Sequence, residues 1–243
     1  MRVRRRGGLR AGIVLALAAA GLWLALSDST TRQGLNYAVA VHPIPRYVKA
    51  LDFVDRHLHY RLLAKEITGG RRGAQEQVLA IYDWTRSHIR QTPAEWPVVD
   101  DHVLHIIIRG HGTDDQQADV FTTLCTYAGV PAFWKIVKEP DSGRMIVLSM
   151  VKIEGAWRGF DVQRGIIFRD REGALAAVDE LVEDPSLIDT AAGQVAPYGI
   201  PYQAFFAALG DVDVPRPLRS ELQMPGPRLW YQARQMVMKA GAR

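Results

Sequence analysis

The tripeptide Gly129-Val130-Pro131 divides the chain into two kinds of pattern, and that division limits the fold more than any other feature. Glycine closes a helix with little strain and proline cannot continue one, so a helix stops here. Upstream, apolar residues recur with a helical period. Val48, Leu51, Val54, Leu58, Leu62 and Leu63 mark a helix over 47–67, which Gly69, Gly70 and Gly73 end. Val78, Ile81, Tyr82 and Ile89 mark a second over 74–89, and a third runs from 114 to 127. Residues 98–112 read as a connecting stretch. Downstream, segments 132–138, 145–153 and 156–162 are rich in β-branched and aromatic residues, with Pro140-Asp141-Ser142-Gly143 and Glu154-Gly155 between them. They read as successive antiparallel strands. Helical patterning returns at 171–183, 201–209 and 227–240. Helices followed by strands give the α+β class.

The first residues carry a separate signal. Arg2, Arg4, Arg5, Arg6 and Arg10 precede sixteen uncharged residues, 11–26. A membrane-spanning helix needs about 20 apolar residues, with about 17 as the lower limit. An uncleaved anchor and a signal peptide cut after Ser27 are both open. Trp23 near the outer end suits an interfacial position and favours the anchor. In either case the arginines hold the start of the chain in the cytoplasm and the body lies outside it. The organisation expected is an anchor or signal segment over 1–27, a linker over 28–46 marked by Pro43 and Pro45, and one domain over 47–243. The alternative location is secreted or periplasmic.

Charge excludes a nucleic-acid partner. The pI of 9.3 comes largely from the arginine cluster. Five of the 30 basic residues lie there, and without them 25 face 26 acids, so no basic surface remains to meet phosphates. The single cysteine, Cys125, excludes an internal disulfide. It shares a helical stripe with Ala118, Phe121 and Ala128, where a thiol acts as a small buried hydrophobe.

Residues 112–131, GTDDQQADVFTTLCTYAGVP, resemble the signature segment of the transglutaminase-like superfamily. Gly155-Ala156-Trp157 followed by Phe160-Asp161 resembles its next two strands, and the whole resemblance covers about 74–165. It implies a papain-like fold, with helices on an antiparallel sheet. It also implies a nucleophilic cysteine at the start of the 114–127 helix, a histidine on one strand and an aspartate on the next. Counting back seventeen positions from Pro131 gives Asp114 for the cysteine. Eleven before Trp157 gives Ile146 for the histidine, and Asp161 keeps the aspartate. The seven histidines, His42, His57, His59, His88, His102, His105 and His111, all precede position 114. The expectation is a pseudoenzyme: a binding or scaffolding module of the cell envelope for a peptide or glycan, without a cofactor.

Two rivals stand beside it. One is an active hydrolase or acyl-transfer enzyme using Asp114, or a metal cluster from His102, His105, His111, Asp114 and Asp115. The spacings of those residues match no metal motif, and adjacent acids at a helix start ordinarily complement its dipole. The other is an envelope protein with a structural role alone. A ligand cleft would involve His111, Asp115, Trp134 and Trp157. Asp114 with Gln117 reads as a helix cap, with Thr113 and Gln116 as the alternative register. In the last helix, Leu229, Trp230, Ala233, Met236 and Val237 share one side beside Arg228, Arg234 and Lys239. Such a stripe ordinarily packs on its own domain, a membrane surface being the alternative.

Overall fold

The computed structural model describes residues 3–100, 102–207, 209 and 212–241, with side chains from 12 to 239 within those ranges. The chain divides into two units, Met1–Asp55 with Val99–Asp101, and Arg56–Val98 with His102–Arg243.

The first unit begins with helix α1, Val3–Leu26. Strands β1, Asp28–Leu35, and β2, Ala38–Pro45, follow as an antiparallel hairpin. Asn36 (φ 48°) and Tyr37 (φ 67°) form its two-residue turn. Both central residues of such a turn take positive φ because that twist matches the strands. The segment expected as a linker is therefore paired. Its prolines are tolerated because β2 is an edge strand, where a missing N–H leaves no ladder bond unmade. Among the described residues no helix is long and apolar enough to cross a membrane. Arg2, Arg4, Arg5, Arg6, Arg10 and Ala11, on which part of the anchor reading rests, lie outside the residues whose side chains are described.

Helix α2, Arg46–Thr68, begins in the first unit and ends in the second, where Arg56, Tyr60 and Ala64 are buried. Helix α3 is Ala74–His88 and strand β3 is Arg90–Gln91. Residues 98–112 hold more than a connection. Strand β4, Val99–Asp100, joins the free edge of β1 in the first unit. In the second unit lie helix α4, Val103–Arg109, and strand β5, His111–Gly112, which runs parallel to β3. These elements are short enough that no periodicity marks them. Helix α5, Asp114–Tyr127, is the centre of the second unit, buried without a break from Gln116 to Thr126.

Strands β6 (Ala132–Lys138), β7 (Met145–Ile153), β8 (Ala156–Asp161) and β9 (Ile166–Ile167) form an antiparallel sheet in sequence order. Both faces are covered. Val151 and Ile153 of β7 join one core with Phe121, Leu124 and Cys125 of α5 and residues of α2 to α4. Ile146, Leu148 and Met150 join a second core on the other face. That core is closed by α6 (Val178–Glu183), α7 (Pro185–Ala192) and α8 (Tyr202–Ala207). A strand buried on both sides reads as an almost continuous apolar run, which is why β7 reads MIVLSMVKI.

Helix α6 is shorter than the patterning over 171–183 suggests. Residues 171–177 instead form a turn at Gly173 (φ 88°) and bridges that pair Leu175 with Arg169 and Ala177 with Arg158. The last helix, α9, spans Pro225–Gly241. The α+β class and the helix-on-antiparallel-sheet arrangement are as the sequence predicts.

Candidate functional site at the start of the central helix

The first turn of α5 leaves backbone N–H groups without intrahelical partners, and the residues just before it must supply acceptors. Thr113, not Asp114, is the capping residue. Its own N–H is met by Gln116 Oε1 at 3.2 Å, and Arg109 Nη2 donates to the same oxygen at 2.8 Å. The Thr113–Gln116 register therefore replaces the Asp114–Gln117 one. Gly112 fits here because a Cβ would stand 2.9 Å from that of Gln116. Gln117 instead donates to the Gly112 carbonyl at 3.3 Å and to Gln91 at 3.2 Å. Gln163 donates to the same Gln91 oxygen at 3.0 Å, which ties the start of α5 to β3 and to the loop after β8.

Asp161 ends β8 with its side chain fully buried. A buried carboxylate survives only when its oxygens are satisfied. Here Oδ1 accepts the Arg164 N–H at 2.8 Å. Oδ2 accepts Arg164 Nη1 at 3.0 Å and the Tyr202 hydroxyl at 2.5 Å. The loop can turn so tightly because residue 165 is glycine, with φ 78° and the Arg86 guanidinium where a Cβ would be.

Asp114 belongs to the same electrostatic group. Burial, then the charges of Asp115 and Asp161, push its pKa up, against the pull of the Asp115 N–H and of Arg164. For Arg164, burial opposes the charge, but Asp161, Tyr202 and Asp114 outweigh it and its pKa is raised. Burial, followed by the Asp161 charge, raises that of Tyr202. The Tyr82 hydroxyl is buried without a hydrogen-bond partner among the described residues, and it too feels the Asp161 charge.

The other sequence candidates lie elsewhere. Ile146 is sealed in the second core, on the sheet face away from α5. Cys125 is fully buried in the first core, and burial holds its thiol pKa well above the usual range. His111 meets the Thr92 hydroxyl at 3.1 Å and the Trp96 ring edge-on at 5.0 Å. Burial, then Arg109, lowers its pKa. Asp115 accepts from the Thr113 hydroxyl. Among the described residues no group of His, Cys, Asp and Glu gathers to hold a metal.

Among the described grooves, the four residues of the expected cleft do not line one together. Trp134 donates to Asp119 at 3.2 Å, stands under the Arg219 guanidinium, and lines a groove of about 460 Å³. Trp157 packs edge-on against Phe133 and lines a groove of about 620 Å³ with Lys152, Trp230 and Arg234. Neither groove includes His111, Asp114, Asp115 or Asp161. Sequence reasoning missed Arg164 and Tyr202. An arginine three residues after a strand-ending aspartate is a local signal for the first; forty-one residues separate Tyr202 from Asp161, and no pattern links them.

Residues 61–162 match the family model of the transglutaminase-like superfamily. No curated protein matches the chain. Among solved structures, a candidate cysteine protease from Cytophaga hutchinsonii is similar at 18% identity and TM-score 0.39, over 51% of this chain and 45% of that one. A candidate protease from Parabacteroides distasonis is similar at 11% identity and TM-score 0.36, over 55% and 35%. A structure described as a TGase is similar at 10% identity and TM-score 0.35, over 67% and 48%. The chain thus spans less than half the length of each.

Proposed function

We propose that the domain whose residues 61–162 match the transglutaminase-like superfamily binds a peptide or glycan of the cell envelope without turning it over. The observation that carries this reading is the Asp161 cluster. In a cysteine–histidine mechanism the aspartate orients the imidazole that activates the thiol. Here both oxygens of Asp161 are engaged by Arg164 and Tyr202. A carboxylate stands at the helix start, and the thiol of the chain is buried.

The raised pKa of Asp114 favours one rival, in which this carboxyl acts as a general acid. Asp114→Asn separates the two. A carboxyl whose folded pKa exceeds its unfolded one binds protons more readily in the fold, so stability falls as pH rises through that interval. The amide variant should therefore melt higher than wild type at pH 7, with the gain fading below about pH 4. Neither protein should hydrolyse amide or ester model substrates. Wild-type turnover that Asp114→Asn abolishes, with the fold intact, would establish the enzyme.

The membrane tether belongs to the same proposal. Ile13, Val14, Leu15, Leu17, Leu22 and Trp23 are all exposed, so α1 presents apolar side chains in every direction. A helix apolar all round calls for lipid or a protein interior. A C-terminally tagged protein should stay with membranes after carbonate washing and be digested by protease added to intact spheroplasts. A soluble species beginning near Asp28 would remove the anchor, and protection from the protease would reverse the orientation.

A further inference from the structure

We propose that α9 is a second membrane contact, lying on an anionic bilayer with its outward apolar stripe among the headgroups. The period of the helix sets Leu229, Trp230, Ala233, Met236 and Val237 on one side. The sequence alone favours packing of that stripe on the domain. The structure turns it outward instead: Leu229 is 65% exposed, Trp230 73%, Met236 69% and Val237 72%. The helix sits against the rest of its unit by another side, on which Arg228, Tyr231 and Gln235 are half-buried. Trp230, at the border of the stripe, joins Tyr231, Arg234, Gln235 and Met238 along the groove shared with Pro215 to Leu218. Scattered exposed apolar residues need no account, but a contiguous stripe along a helix of about 25 Å does.

Charge indicates what covers it. Helix α9 holds Arg228, Arg234 and Lys239 and no acidic residue. At 100° per residue, Lys239 falls on one flank of the stripe and Arg234 on the other. Arg228, on the Lys239 side, is half-buried and donates to the Leu222 carbonyl at 3.4 Å. Cations on both flanks of an apolar face, with a tryptophan at its border, are the pattern of a helix lying in the interface. A second copy of the chain would bring its own Arg234 and Lys239 against these two cations, whereas anionic headgroups complement them. The contact is separate from the α1 tether.

The test uses the full chain reconstituted into vesicles. Val237→Cys carries an environment-sensitive fluorophore, since Cys125 is fully buried, and Glu172→Cys on an exposed loop serves as the reference. In phosphatidylglycerol-containing vesicles, the label at 237 should shift to the blue and be quenched by an acyl-chain quencher, while that at 172 should not. Phosphatidylcholine alone should give little response. Lys239→Gln and Arg234→Gln should each weaken the phosphatidylglycerol-dependent response about fivefold, with melting temperatures unchanged. Equal behaviour at 237 and 172 in anionic vesicles overturns the proposal. So does a blue shift at 237 in lipid-free detergent with a dimeric mass, which makes a second copy the occupant. Carbonate extraction of the same samples reads the α1 tether independently: protein that is extracted yet responds at 237 before extraction loses the tether and keeps the α9 contact.

Discussion

Asp161→Ala is expected to cost the domain about 3–5 kcal/mol, because removing one partner of a buried ion pair strands the other. The aspartate side chain is fully buried and that of Arg164 is largely so. Without the carboxylate, the guanidinium keeps its burial and loses its counter-charge, and the Tyr202 hydroxyl loses its acceptor. Tyr202 and Phe168 belong to the second core, so the damage reaches the helices behind the sheet. Urea unfolding of the full chain in detergent measures it as a lower midpoint. Arg164→Met added to Asp161→Ala should recover a large part of the loss, since an apolar side chain of similar size needs no partner there. A single variant within about 1 kcal/mol of wild type would mean that Asp161 is not closed in a buried cluster. The proposed loss of catalysis would then lose its main support.

The sequence disclosed the second unit better than the first, and the reasons are physical. Helix α5 is bounded by strong local signals, a threonine cap and a Gly-Val-Pro stop, so its limits are legible to within one residue. Strands β6, β7 and β8 are legible because β-branched runs and tight turns follow one another there. The β1–β2 hairpin was hidden by Pro43 and Pro45, which argue against a strand unless it is known to be an edge. An Asn-Tyr turn also carries a weaker signal than one containing glycine. At the site, Asp114 and Asp161 could be named as candidates from the resemblance. Their partners could not, since Arg164 and Tyr202 reach Asp161 through a loop and through a helix packed from the far side of the sheet. The choice between Thr113 and Asp114 as cap turns on a single residue of register, which spacing does not resolve.

Ile146 is the position that the resemblance assigns to a histidine, and Ile146→His is expected to show that the fold does not bring it to the helix start. A branched apolar side chain there is fully buried among Phe133, Val137, Leu148 and their neighbours. An imidazole in its place loses that packing and buries ring nitrogens that the surrounding apolar residues cannot satisfy. The two effects together should cost about 3 kcal/mol. Strand alternation adds a functional consequence. Residues 146, 148 and 150 face the second core, and 151 and 153 face α5, so a side chain at 146 points away from the helix that begins at Asp114. Asp114→Cys should fold and yield a thiol that iodoacetamide alkylates at neutral pH. Adding Ile146→His should leave that alkylation rate unchanged while lowering the melting temperature, and neither variant should transfer an acyl group from a model ester. A thiol markedly accelerated by Ile146→His, with its rate following a single ionisation near pH 6.5, would place the imidazole beside it. The β7 side chain would then have to turn towards α5, against the strand alternation seen here.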